Sequence, residues 1–184
     1  MAEHKVITGE VRFSYAHIFE PASVNGSDDK KYSVSIIIPK KDKKTISDIE
    51  KAIQAALDEG VQKKFGGKMP KKVKTPLRDG DEDREDDANY ANSMFFNATS
   101  PETRRPGLVY RNGQPIIDST DFYSGCYGHA SVSFFPFNSN GNMGVGCSLN
   151  NIMKTRDGEP LGSVQAKAED DFKDIISDDE DFMD

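Results

Sequence analysis

Tryptophan is absent from the 184 residues, and cysteine and histidine number only two and three. The missing tryptophan decides little. The two thiols, Cys126 and Cys147, are too few and too far apart for a disulfide framework and fit a reducing compartment. His4, His17 and His129 are scattered and no G-x-S-x-G elbow accompanies them, so nucleophilic catalysis finds no support. Long apolar runs are missing as well. Nothing approaches the length of a membrane span, and the opening MAEHKVITGEV lacks the apolar region of a secretory signal. A soluble, cytoplasmic protein is expected.

Phosphate-cradling loops are missing too. Gly66-Gly67-Lys68 lacks the spaced glycines and the hydroxyl residue of a Walker loop, and Gly144-Val145-Gly146 lacks a third glycine and opens no helix. Asp79, Asp81 and Asp83 imitate the start of a calcium loop, but Arg84 stands where glycine is needed and Tyr90 where the closing glutamate belongs. Cys126 and His129 have a C-x-x-H spacing, with Cys147 across a hairpin. Without a second tight pair they make a poor zinc site. No cofactor or metal is therefore expected.

What is present is charge, unevenly distributed. Residues 169–184 hold nine acids against one lysine, punctuated by Phe172, Ile175, Ile176, Phe182 and Met183. Residues 79–87 hold seven more acids and one arginine. Outside these two segments the chain has 22 basic and 15 acidic residues, although its overall net charge is −7. A basic body with segregated acidic segments fits a polyanion binder that carries its own competitor. So dense a block of like charge repels itself, so 169–184 is expected to be a disordered interaction tail and 1–168 a folded domain.

Within the body, period-two alternation predicts strands over 5–15, 31–38, 93–99, 108–117 (a hairpin turning at Asn112-Gly113, suited to type I′) and a long hairpin over 126–152. Residues 16–30 read as a loop. Ile46, Ile49, Ile53, Leu57, Val61 and Phe65 form one helical stripe, capped at Thr45 or Ser47, tolerating Gly60 and ending at Gly66-Gly67. Residues 66–92 read as a long mobile loop. About six strands, one inserted helix and no repeating βαβ rhythm predict a mainly β protein, a small closed or partly closed antiparallel barrel.

Single-stranded nucleic acid requires cations along its phosphates and flat rings against its bases. Basic residues interleave with aromatics at Arg12 and Tyr15, at Lys30, Lys31 and Tyr32, at Arg104 and Arg105, and at Tyr110 and Arg111. In Phe134-Phe135-Pro136-Phe137, an inward Phe134 leaves Phe135 and Phe137 facing outward. Two explanations fit those rings: a stacking platform, or a second small core under the helix or the long loop. Two other functional classes stand beside a non-enzymatic binder. One is a metal-dependent nuclease using the 79–87 acids, and the other an acidic interaction or virion protein with no nucleic-acid role.

With these residues assembled, the chain resembles phage-encoded single-stranded DNA-binding proteins that pair an OB-type barrel with an acidic C-terminal tail. More narrowly, it is similar to a group of uncharacterised phage and prophage proteins of Gram-positive bacteria. Arg12-Phe-Ser-Tyr15 with Phe19-Glu20-Pro21, Tyr123 to Tyr127, Ala130 to Phe137, Gly144 to Ile152 and Asp157 to Gly162 carry that resemblance. It implies an OB-fold-like barrel and sequence-independent coating of single strands in phage replication and recombination, in the host cytoplasm. It also implies recruitment of polymerase and helicase-primase through the tail, here Asp178, Asp179, Glu180, Asp181 and Phe182. Occupation of the DNA groove by the tail and a tail-mediated homodimer are further implications.

Overall fold

The computed structural model describes residues 4–23 and 29–161. Eight strands are present: β1 (His4–Ile7), β2 (Val11–Ser23), β3 (Lys30–Pro39), β4 (Arg78–Asp79), β5 (Ser93–Pro101), β6 (Gly107–Val109), β7 (Tyr127–Ser139) and β8 (Asn142–Arg156). The long helix α1 (Lys43–Lys63) follows β3, and the one-turn helix α2 (Gly80–Asp83) follows β4. β7 pairs with β2, β2 with β3, β3 with β5, β5 with β8, and β8 back with β7. This ring of five closes the barrel that alternation predicted, in an OB-type order. One junction departs from an antiparallel barrel: β5 and β8 run parallel and meet only at Thr99 and Ser148.

That junction is extended by a segment expected to be loop. Lys74 bridges to Gly144 of β8, its amide donating to the Met143 carbonyl and its carbonyl accepting from the Val145 amide. Four residues on, β4 pairs with β5 at Phe95 and Met94. Residues 74–79 thus fill the gap where β5 and β8 splay apart, and Val73 and Leu77 pack against the main core.

Alternating side chains fill the barrel, with Phe13, Val34, Ile36, Ile38, Phe96, Phe134, Leu149 and Ile152 at most 1% exposed. Burying a side chain of this size contributes roughly 1.5–3 kcal/mol. Helix α1 adds Ile49, Ile53, Ala56 and Leu57 to the same core, as its stripe predicted. Its cap is Asp42, not Thr45 or Ser47: the Asp42 carboxylate accepts from the Thr45 amide at 3.2 Å and the Thr45 hydroxyl at 2.7 Å. The Thr45 hydroxyl in turn accepts from the Gly9 amide, which seats the helix start on the β1–β2 corner. Gly60 lies inside the helix, and Phe65 folds back onto it.

Three further expectations are corrected. Residues 16–23 are strand, not loop. A register shift between Ser14 and His17 resets the period there, with Tyr15 at φ 47°. The first predicted strand breaks after Ile7, and Val6 and Thr8 are buried while Ile7 is exposed. The type I′ turn lies elsewhere than expected. Asn140 (φ 53°) and Gly141 (φ 91°) supply both positive φ angles between the paired Ser139 and Asn142, as a two-residue I′ loop requires. At the 108–117 hairpin only Gly113 is left-handed, and the Tyr110 amide donates to the Gln114 carbonyl across a three-residue loop.

Candidate nucleic-acid interface

The hairpin formed by β7 and β8 carries the clearest exposed aromatic surface. Phe134 points into the core at 1% exposure, and its neighbour Phe135 points out at 44%. Phe135 pairs with Gly146, and Phe137, half-buried on the same outer face, pairs with Gly144. Neither partner has a side chain to cover a ring. Next along the strands come Ser133 and Ser148, paired with each other. Arg104 reaches this row, donating from Nη2 to the Ser148 hydroxyl at 2.9 Å and from Nε to the Ser100 hydroxyl at 3.3 Å. The structure therefore joins Phe135, Phe137 and Arg104 on one face of small polar residues.

The other sequence-predicted residues are dispersed. Tyr15 is 60% exposed, turned out by the bulge in β2. A tyrosine at positive φ costs on the order of 1–2 kcal/mol. Lys30 and Lys31 are exposed where β3 begins. Tyr32 is buried, which corrects its expected stacking role: it shares the inward parity of Val34 and Ile36. Arg105 lies over the Phe19 ring at 4.8 Å and donates to the Ile18 carbonyl. Tyr110 is half-buried and donates its hydroxyl to the Asp121 carboxylate, a hydrogen bond that, with partial burial, holds the phenol above its ordinary pKa. Arg111 is exposed at the tip of that hairpin. Arg12 donates to the Gly125 and Glu159 carbonyls at 3.0 and 2.7 Å, so its guanidinium ties down neighbouring loops. It also faces the Tyr127 ring at 5.2 Å, against which Arg156 packs at 3.8 Å. Sequence reasoning missed Tyr127 and Arg156, which are far from Arg12 in sequence. The tail residues Asp178, Asp179, Glu180, Asp181 and Phe182 lie outside the described residues.

The acidic segment, expected within a long mobile loop, is tied to the barrel at several points, although residues 81–86 stay exposed. Lys40 lies 2.9 Å from Asp79 and 2.8 Å from Asp81, and both carboxyls are held below their ordinary range by it. Arg78 approaches Asp83 at 3.5 Å. Arg84 stacks over Phe95 and Tyr90 at 5.1 and 5.8 Å. Tyr90, Phe95 and Ile37 form a second small core, and the Tyr90 hydroxyl meets the Ser35 hydroxyl at 3.1 Å. The second core weighed for Phe135 and Phe137 therefore exists, but it is built on the outer side of β3 and β5 from Phe95. Among the described residues, no group of three His, Cys, Asp or Glu converges as metal ligands. No helix among them is long and apolar enough to cross a membrane.

Comparison with known proteins places this geometry. A family model described as Enterobacter phage Enc34, ssDNA-binding protein, matches residues 4–183. The chain belongs to the Enc34 ssDNA-binding protein family. Putative protein p50 of Acyrthosiphon pisum secondary endosymbiont phage 1 is 29% identical over 181 residues, spanning 93% of this chain and 94% of that one. The single-stranded DNA-binding protein from bacteriophage Enc34, solved in complex with ssDNA, superposes with a TM-score of 0.74 at 21% identity, over 86% of this chain and 90% of that one. Gp2.5, a single-stranded DNA-binding protein encoded by bacteriophage T7, superposes with a TM-score of 0.61 at 17% identity, over 96% and 97% of the two chains. At these identities the structural likeness speaks for the fold, and the family match carries the assignment.

Proposed function

We propose that this chain binds single-stranded DNA without sequence preference, as a non-enzymatic protein of phage DNA replication and recombination. The observation that carries the reading is the exposed Phe135 on a basic OB-type barrel, within a chain of the Enc34 family. A ring with a free face stacks any base, which gives affinity without sequence readout. Lys30, Lys31, Arg104, Arg105 and Arg111 supply phosphate contacts, and Tyr15 a second ring. The engagement of Asp79, Asp81 and Asp83 with Lys40 and Arg78 speaks for a structural role of that segment over a nuclease centre.

In this reading residues 1–168 bind DNA, and 169–184 compete for the same groove and recruit replication proteins through Asp178 to Phe182, with tail-mediated dimerisation as a further role. The test is a titration of a fluorescent homopolymeric oligonucleotide across a salt series, with the full chain and with 169–184 deleted. Binding should weaken linearly in log–log terms as salt rises, the deletion should tighten it, and DNA incubated with magnesium or manganese should stay intact. Absence of binding at low salt would remove the reading. Equal affinity of the two forms would remove self-competition alone.

A further inference from the structure

The following inference rests on the single-stranded DNA reading and goes beyond it. Two exposed clusters of opposite charge take no part in the surface described. The first is the connection after α1. Residues 63–74 hold six lysines and no acid. All six are exposed, none is engaged in an ion pair among the described residues, and Met69 in their midst is 45% exposed. Both ends of this loop are fastened at the close of the β7–β8 hairpin. Asn138 donates from Nδ2 to the Lys64 carbonyl at 3.0 Å, and Lys74 bonds with Met143 and Val145, beside the pair of Asn138 with Met143. The second cluster is an open cleft of about 510 Å³ between Tyr15 and residues 82–88, five of which are acidic. Glu82, Glu85 and Asp86 have no basic partner among the described residues. A base reaching the Tyr15 ring would bring its phosphates beside these carboxylates, whereas a lysine-bearing segment is attracted to them. Within one chain the clusters do not meet. Lys63 and Lys64 close α1, roughly 30 Å of helix from its start, where Lys40 holds Asp79 and Asp81.

We propose that the lysine loop of one copy docks into the Tyr15 cleft of a second copy. Met69 covers the Tyr15 ring, a favourable pairing of thioether and aromatic, and Lys68, Lys71 and Lys72 face Glu82, Glu85 and Asp86. The occupant is a second copy and not DNA on two grounds: the cleft repels phosphate, and phosphate gives Met69 nothing to cover. The contact joins two different surfaces, so it does not close on itself, and successive copies extend as an open row. Exposed ion pairs are individually weak, so the contact does not hold free copies together. On a shared strand, neighbouring copies are at high effective concentration. There the contact adds roughly a 5- to 100-fold advantage per neighbour.

The test titrates the full-length chain on oligo-dT of about 10 nucleotides, a length suited to one copy, and on poly-dT. The wild type should bind poly-dT sigmoidally and, per site, roughly 5- to 100-fold more tightly, an advantage that shrinks as salt rises. Lys71→Glu with Lys72→Glu should abolish the advantage, and so should Glu85→Lys with Asp86→Lys. All four reversals in one chain should restore it. Cross-linking reads the contact directly, because both native thiols are buried. With Met69→Cys and Ala88→Cys in one chain, a short bis-maleimide should give a ladder of linked copies on poly-dT and monomer without DNA. Equal affinity per site on the two DNAs, a fourfold reversal that restores nothing, or a missing ladder overturns the contact and leaves the DNA-binding reading standing. A loss of equal size on both DNAs for the lysine pair assigns the loop to DNA and overturns it too. If the wild type binds neither DNA, the single-stranded DNA reading fails, and this inference with it.

Discussion

Gly60 provides a test in which two physical effects oppose each other. Replacing a helical glycine by alanine stabilises a helix by about 1 kcal/mol on propensity alone. Gly60 sits inside α1, so the local rule predicts a gain. The structure predicts a loss: a Cβ at this position would lie 2.3 Å from Cε2 and 2.6 Å from Cζ of the Phe65 ring. That ring is 7% exposed and belongs to the main core, and the Phe65 amide donates to the Gly60 carbonyl at 2.7 Å, which leaves the ring little freedom to retreat. Overpacking of this kind costs about 1–3 kcal/mol. Subtracting the propensity gain leaves Gly60→Ala destabilised by up to roughly 2 kcal/mol, a fall of up to roughly 4–8 °C in melting temperature for a chain of this size. Urea denaturation of a double-mutant cycle measures it. In a Phe65→Ala background the clash is gone, and Gly60→Ala should raise stability by about 1 kcal/mol. A gain of that size in the wild-type background would refute the argument, because it would mean that the ring does not occupy the space the glycine leaves.

Two other predictions concern titration and reactivity. Asp79 and Asp81 have depressed pKa values because of Lys40, and Lys40 has a raised one because of Asp81 and Asp79. The anchoring of residues 78–92 should therefore be complete at neutral pH and fade as the pH falls below about 4, through the depressed carboxyl values. The lysine side of the pair fails only at strongly alkaline pH, as it rises through the raised Lys40 value. Amide exchange of Tyr90 and its neighbours, measured against pH, should follow this course, and Lys40→Met should accelerate that exchange already at pH 7. Burial pushes both thiols up, Cys147 most of all. Neither should react with a disulfide reagent at pH 8 in the native chain, and both should do so in urea. Prompt labelling of Cys147 without denaturant would contradict its place in the core.

Much of this was legible where one local rule decided the outcome. The α1 stripe from Ile49 to Leu57, the inward Phe134 and the long hairpin all followed from periodicity, and the outward Phe135 followed from Phe134. Tyr32 was misassigned because its neighbours Lys30 and Lys31 outweighed its own parity with Val34. Strand β2 beyond Tyr15 was hidden by its bulge, since one extra residue inverts every later position. Residues 74–92 carry no periodic signal. They are held by partners distant in sequence, namely Lys40, Ser35, Met143 and Val145, so no window of sequence contains the reason for their order. The two glycines opposite Phe135 and Phe137 were within reach: pairing the hairpin outward from Asn140-Gly141 sets Gly144 against Phe137 and Gly146 against Phe135.

The segment between α1 and β5 has a practical consequence for anyone altering this chain. Residues 66–69, 71 and 72 are exposed, and Gly66 and Gly67 have open space around them, so a tag or a fluorescent module inserted there meets no neighbour. A few residues later the tolerance ends. Lys74 is hydrogen-bonded to β8, and Arg78 and Asp79 pair with β5, so lengthening the stretch between them by a single residue would shift Lys74 or Arg78 out of register and unfasten the wall of the barrel. The same connection thus offers a permissive graft site directly beside a seam that admits no insertion.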